Sequence, residues 1–415
     1  MDNRADRGLA RTASPFVMLL ALTCAIVISQ AFRSVATILA QPLKAQFDLS
    51  AQALGVFSSA YHFTFGALQF FMGMSIDVYG VRRTVLAAFP FAIAGALLSV
   101  LAPSLNWLVL GQMLIGIGCA PAFLVSTVFI ARHFSPARFA ALSGLALGLG
   151  SMGMMITSTP LAWLVQHYSW PAGFVALGVC ALLAWLLIWW LVHEPARAAP
   201  GNTPSMLEAL RSYGPLFKLP YTAGILLMGF VGYASFITLR GLWLGPMLNA
   251  RHDLSLVQCG NVALIVSIMS TFSLPLFGRF DPGTVRRRRR IVACGLTVAT
   301  LFALMAFNFG ASMSAEAGTV IDAALCVAVG MFSGYSALQY ANVRSAYPET
   351  MTGRAMGLFN MATFLGAAFM QWFTGLTASV AQSHGIEPFT VVFATIAVML
   401  AAGALSFAWL PKPPN

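Results

Sequence analysis

Long apolar runs separated by short polar breaks dominate the chain. Runs long enough to cross roughly 30 Å of hydrocarbon as helices fall at 16–41, 52–76, 84–102, 106–131, 139–165 and 171–192, and again at 220–248, 257–279, 289–309, 317–343, 353–380 and 387–410. This pattern predicts an all-α membrane protein of twelve transmembrane helices in two pseudo-symmetric six-helix bundles. The bundles are expected at 1–192 and 220–415, joined by a linker at 193–219. That linker is the longest polar stretch, with His193, Glu194, Pro195, Arg197, Pro200, Gly201, Asn202, Pro204 and Glu208.

Composition agrees with the pattern. Charged residues make up 8% and hydrophobic residues 59%, whereas soluble domains carry about 25% charge. The apolar excess runs along the whole chain, which argues for many spans rather than one anchor. Arg4, Arg7 and Arg11 precede an apolar run from Phe16 to about Leu39. The run is too long for a signal peptide and no small-x-small site closes it, so it is expected to stay as the first span.

Basic residues are distributed unevenly between alternate loops. Nineteen of the 23 lysines and arginines fall in the N-terminal segment, the even-to-odd loops, the linker or the tail, while the opposite loops hold only Lys44 and Arg251. The positive-inside rule then makes both termini cytoplasmic, in a cell inner membrane. The net charge of +11 and the run Arg286 to Arg290 fit the same rule, with lipid headgroups as neighbours and no nucleic-acid partner. Six cysteines lie in or beside apolar stretches with no C-x-x-C pair or histidine at ligand spacing. They are expected to be packing residues, with no metal or cofactor.

The halves repeat each other. Residues 42–50, PLKAQFDLS, follow the first span as 246–255, PMLNARHDLS, follow the seventh. Asp77 precedes Arg82 by five residues, and Asp281 precedes Arg286 by five; Arg132 to Pro136 is matched by Arg344 to Pro348. Parallel six-span copies are a recognised transporter plan.

The stretch with Gly73, Asp77, Gly80, Arg82 and Arg83 resembles the G-x-x-x-D-x-x-G-x-R-R signature of the major facilitator superfamily, with a degraded second copy around Asp281 and Arg286. The resemblance implies secondary transport by alternating access, with this loop as a conformational latch. In that role the glycines allow a tight turn, Asp77 accepts from a neighbouring helix N-terminus, and the arginines hold the loop on the inner face. Gly144, Gly148, Gly150, Gly153 and Pro160 resemble the family's glycine-rich, proline-bent fifth helix. One departure stands out. Gly116 and Gly118 fit the R-x-x-x-G-x-G pattern of the fourth span, but the arginine position holds Gln112; in the family that arginine is associated with proton coupling, so proton-driven drug export is disfavoured.

Charges inside spans are functional candidates by default, and Arg33 and Arg240 are the two that lie well inside. Measured back from the matched Pro42 and Pro246 they differ by three residues, about one turn, so both are expected to face one central cavity at similar depth. Of the twelve acids only Asp322 is placed to enter a span, near the outer end of span 10, as a candidate charge partner. A positive cavity calls for a small anionic substrate, a carboxylate or phosphate ester, gripped by guanidinium forks. The pair resembles the arginines on the first and seventh spans of the superfamily's organic-anion and organophosphate exchangers. Tyr61, His62, Gln69, Trp243, Asn261, Gln339, Asn342 and Asn360 are further candidates for the site's rim, His62 also as a proton carrier. Symport or antiport with a proton or counter-anion, by a monomer, is the expected activity. The alternatives are a proton-coupled exporter of hydrophobic solutes and a non-transporting sensor. No nucleotide-binding loop or catalytic constellation is present, so an enzyme is not expected.

Overall fold

In the computed structural model the described residues are 14–194, 211, 213–308 and 314–413. Arg4, Arg7, Arg11 and most of the polar segment 193–219, Pro195, Arg197 and Glu208 included, lie outside them. The described chain is helical throughout, because in hydrocarbon each backbone polar group needs a partner within its own segment.

Eleven helices are long and apolar enough to cross a membrane on their own, and the twelfth span is hidden by where the helices break. Span 2 begins with Ala51–Ala67, too short by itself, and continues past Leu68 into Gln69–Val100. That 32-residue helix serves two spans, since Gly80, at φ 86° and ψ 170°, folds it between span 2 and span 3. Only glycine takes that backbone without strain. Gly283, at φ 80° and ψ 170°, makes the same fold before span 9, so the repeat read in the sequence recurs in the backbone. Asp48 and Asp253, which close the matched segments, recur likewise, with φ of 47° and 50°.

Several spans are built in pieces. Span 1 breaks at Val35 between Pro15–Ser34 and Ala36–Phe47. Span 5 runs as Pro136–Gly150, Met152–Ile156 and Thr159–His167. Span 7 passes from Thr222–Thr238 through a π turn at Leu239–Trp243 into Leu244–His252. Span 10 tightens at Ser333–Tyr335. Such breaks inside apolar helices free carbonyls and redirect side chains, and they gather at functional sites.

The first six and last six spans meet through spans 1, 2 and 5 on one side and 7, 8 and 11 on the other. The contacts are close at the end opposite the Gly73–Arg83 loop. A Cβ on Gly55 would lie 2.7 Å from the Gln371 carbonyl, one on Gly245 2.1 Å from the Thr37 carbonyl, and one on Gly260 2.8 Å from Ala162. Gln41 donates to Asn249 across the same seam. Towards the loop end, spans 5 and 8 leave open space: a Cβ on Gly144, Gly148 or Gly278 would meet nothing within 4 Å.

Candidate functional site

Arg33 lies at the break of span 1, where the last turn of Pro15–Ser34 turns it inward. Its guanidinium sits between two rings, 4.9 Å from the Phe65 centroid on span 2 and 4.5 Å from Phe364 on span 11. Nη1 donates to Tyr233 Oη of span 7 at 3.2 Å, and Nε is buried without a partner. Stacking on two aromatic faces holds the plane of the fork by cation–π attraction and leaves its edge for a ligand. Tyr61 stacks on Phe65 at 5.7 Å, and its hydroxyl donates to the Ser29 carbonyl at 3.0 Å. His62 is fully buried, with Nδ1 3.3 Å from the Ser58 carbonyl and Nε2 unpartnered.

Arg240 occupies the π turn of span 7 and is completely buried. Nε donates to Ser267 Oγ of span 8 at 2.9 Å, and Nη2 donates to Ser158 Oγ and the Met154 carbonyl of span 5, both at 2.7 Å. The break in span 5 supplies these acceptors. Ser158 N turns back to the Met155 carbonyl, which releases the Met154 carbonyl from the regular ladder. Nη1 has no partner. The segments that carry the two arginines cross closely, since a Cβ on Gly241 would lie 3.3 Å from the Arg33 carbonyl oxygen.

Among the described residues neither arginine has a carboxylate within 4.0 Å. Asp322 is therefore not their charge partner: it lies at the far end of span 10, 2.9 Å from His252 Nε2 and 3.4 Å from Arg251 Nη1. The count of basic residues by loop places Arg251 in an outer loop, but it lies in the last helical turn of span 7 with its side chain buried.

The other candidates divide. Gln69 and Asn360 join spans 2 and 11 below Arg33, with Asn360 Nδ2 donating to Gln69 Oε1 at 2.9 Å and Tyr340 Oη donating to Asn360 Oδ1 at 2.8 Å. Gln339 and Asn342 instead face a small cavity among the last six spans, beside Ile291 and Phe407. Asn261 is exposed at the span 5–8 seam, where Thr159 donates to it at 2.8 Å. Trp243 donates to Thr374 at 2.9 Å and walls a cavity at the far end, not the surroundings of Arg33. Sequence reading passed over Phe65, Tyr233 and Phe364, because in a chain with 12% aromatic residues nothing distinguishes a ring that stacks on a cation from one that meets lipid.

At the loop end Asp77 faces Arg132 at 3.6 Å, and Arg132 also faces Glu194 at 3.7 Å. Glu194 accepts from the Arg82 main-chain N at 3.0 Å, beside Gly80. A Cβ on Gly73 would lie 3.8 Å from Leu124. In the second copy Asp281 pairs with Arg287 at 2.6 Å, not with Arg286. Helical rotation from Thr284 puts Arg287 on the buried face and leaves Arg286 exposed.

Comparison with known proteins places the chain. Residues 21–370 match the Major Facilitator Superfamily. The D-galactonate transporter of Escherichia coli O6:H1 is 23% identical, covering 98% of this chain and 96% of its own. The hexuronate transporter of Bacillus subtilis is 22% identical, over 92% and 93%. Among solved structures a D-xylose-proton symporter superposes with a TM-score of 0.74 at 15% identity, over 96% and 98% of the two chains. Twelve spans folded about the Gly80 and Gly283 turns, and a family match over most of its length, make this chain a multi-pass membrane transporter of the Major Facilitator Superfamily.

Proposed function

We propose that the protein moves a small organic carboxylate of the acid-sugar class, an aldonate or hexuronate, by alternating access. The observation that carries this reading is the Arg33 guanidinium, buried and held between Phe65 and Phe364 with no carboxylate beside it. An unpaired buried cation is costly, and a substrate anion that accepts from its free edge offsets that cost. Arg240 adds a second donor through Nη1 while its other nitrogens tie spans 5, 7 and 8 together. Anion capture and closure of the far end are then linked through one side chain. Tyr61, His62, Gln69 and Asn360 supply directional bonds to hydroxyl groups. The names of two relatives, transporters of D-galactonate and of hexuronate, support the same class of cargo.

The two six-helix bundles, 1–192 and 220–415, rock about this site, with the linker, both termini and the Asp77–Arg132–Glu194 latch on the cytoplasmic side of an inner membrane. A thermal-shift screen tests the cargo, since a ligand that binds only the folded protein raises its melting temperature. D-galactonate or D-glucuronate is expected to raise Tm and neutral D-galactose to leave it unchanged. Equal shifts with the neutral sugar would overturn the anion reading.

A further inference from the structure

Spans 2 and 11 run in opposite directions past Arg33, and Phe65 and Phe364, which stack on its guanidinium, mark the level of the cation on each. His62 lies three residues before Phe65, one turn nearer the far end and on the same face. Gln371 lies seven residues after Phe364, two turns nearer that same end and again on the same face. Both side chains are fully buried, and that of Gln371 stands beside the His62 ring.

Each of the two has one polar atom committed and one left over. Gln371 Nε2 donates at 3.4 Å to the Ile237 carbonyl, just before the π turn of span 7. That bond orients the amide, so Oε1 is turned the other way, and it has no partner among the described residues. His62 Nδ1 faces the Ser58 carbonyl at 3.3 Å, so the ring hydrogen sits on Nδ1 and Nε2 keeps a lone pair. Nε2 likewise has no partner among the described residues. Both leftover atoms are therefore acceptors, which is why two neighbouring polar groups leave each other unpaired. Gln69 and Asn360, toward the loop on the same two spans, behave differently: Asn360 Nδ2 donates to Gln69 Oε1, and Gln69 Nε2 donates to the Phe65 and Ala120 carbonyls. At the level of Arg33 the leftover atoms have the opposite sense, since Arg33 Nε and Arg240 Nη1 are donors on cations. A carboxylate suits those donors and is repelled by the two acceptors, whereas a hydroxyl donates to either acceptor.

We propose that Gln371 and His62 form the hydroxyl-reading end of the substrate site, taking two O–H groups of the acid sugar while its carboxylate lies on Arg33. The site then holds its cargo in one orientation, with the carboxylate toward the loop and the hydroxyls toward the far end. It also selects polyhydroxy acids over plain carboxylates of the same length, because a cargo without O–H donors leaves both acceptors buried and unpaired. This assignment rests on the acid-sugar reading.

Calorimetric titration of the full chain separates the two claims, with D-galactonate, D-glucuronate and hexanoate, a six-carbon acid without hydroxyl groups, as probes. Wild type should prefer the acid sugar it binds over hexanoate by about tenfold to a hundredfold, as two neutral hydrogen bonds allow. Gln371→Met keeps the length of the side chain and removes the acceptor. It should weaken the acid sugar about three- to tenfold and leave hexanoate unchanged, which also shows that the variant is folded. His62→Leu should do the same. Should one variant fail to fold, the other decides, and should both fail, the wild-type preference decides. Equal binding of hexanoate and acid sugar by wild type, or variants that keep the full preference, would overturn the hydroxyl-reading end and leave the anion reading standing. Equal losses for both kinds of acid would overturn it too, by showing that Gln371 only braces spans 7 and 11. No binding of either acid sugar by wild type would overturn the acid-sugar reading and this assignment with it.

Discussion

Arg240, on span 7, donates at 2.7 Å to the hydroxyl of Ser158 on span 5. The contact crosses between the first six and last six spans and is wholly buried. Arg240→Ala would leave Ser158, Ser267 and the Met154 carbonyl without their shared donor. Hydrogen bonds to a charged group contribute about 1.5–3 kcal/mol each, so Tm should fall by several degrees and anion affinity by about tenfold or more. Lysine should restore only part of either, because a point charge cannot serve spans 5 and 8 at once. Thermal shift and binding measured on the same preparations check both, and an alanine variant unchanged in both would refute the bridging role.

Two close approaches of glycine differ in what they control. A Cβ on Gly366 would lie 1.8 Å from the Phe230 carbonyl oxygen of span 7, within the last six spans. Gly366→Ala should therefore destabilise the fold, at about 1–3 kcal/mol for an overpacked site. Gly55 meets the Gln371 carbonyl and Gly375 of span 11 across the seam. Gly55→Ala should leave stability near wild type and instead hold the far end apart, with transport falling while Tm does not. A parallel loss of Tm in both variants would show that the seam is a fixed interface.

The Asp281–Arg287 pair makes a prediction in pH. The hydrogen bond from Arg287 is the main cause holding the Asp281 carboxyl below its ordinary range. A carboxyl depressed in the folded state contributes stability that is present above its unfolded value, about 3.9, and lost as pH falls through the folded one. Asp281→Asn should remove that part of the acid sensitivity. Arg287→Ala should lower Tm by several degrees, since it also deserts the Ala341 carbonyl and Ser345. Arg286→Ala, at an exposed position, should change stability by no more than about 0.5 kcal/mol. Melting curves across acidic buffers decide it, and equal effects of the two arginines would contradict the pairing.

Spans and their repetition were legible in the sequence because hydrophobic length and turn chemistry are local signals. Gly80 announces its turn within its motif, whereas the matching turn at Gly283 and the left-handed Asp48 and Asp253 appear only in the backbone. The environment of Arg33 was not legible in that way. Phe65, Tyr233 and Phe364 come from three different spans, and only packing brings them to one guanidinium. Asp322 shows the same limit: the sequence puts it near one end of span 10, but not which cations it meets, and the partners it finds, Arg251 and His252, sit at the end of span 7. Arg286 failed as a match because counting residues between copies ignores which face of the helix is buried.

Calorimetric titration of D-galactonate into wild type, Arg33→Ala and Arg33→Lys tests the central claim most directly. Loss of a charge-assisted contact worth about 1.5–3 kcal/mol should weaken binding by about tenfold to a hundredfold in the alanine variant. The lysine variant, which keeps the charge and loses the fork, should fall between the two. Combining Arg33→Ala with Arg240→Ala should be non-additive, because both side chains serve one ligand. An Arg33→Ala protein that folds normally and binds D-galactonate like wild type would contradict the account.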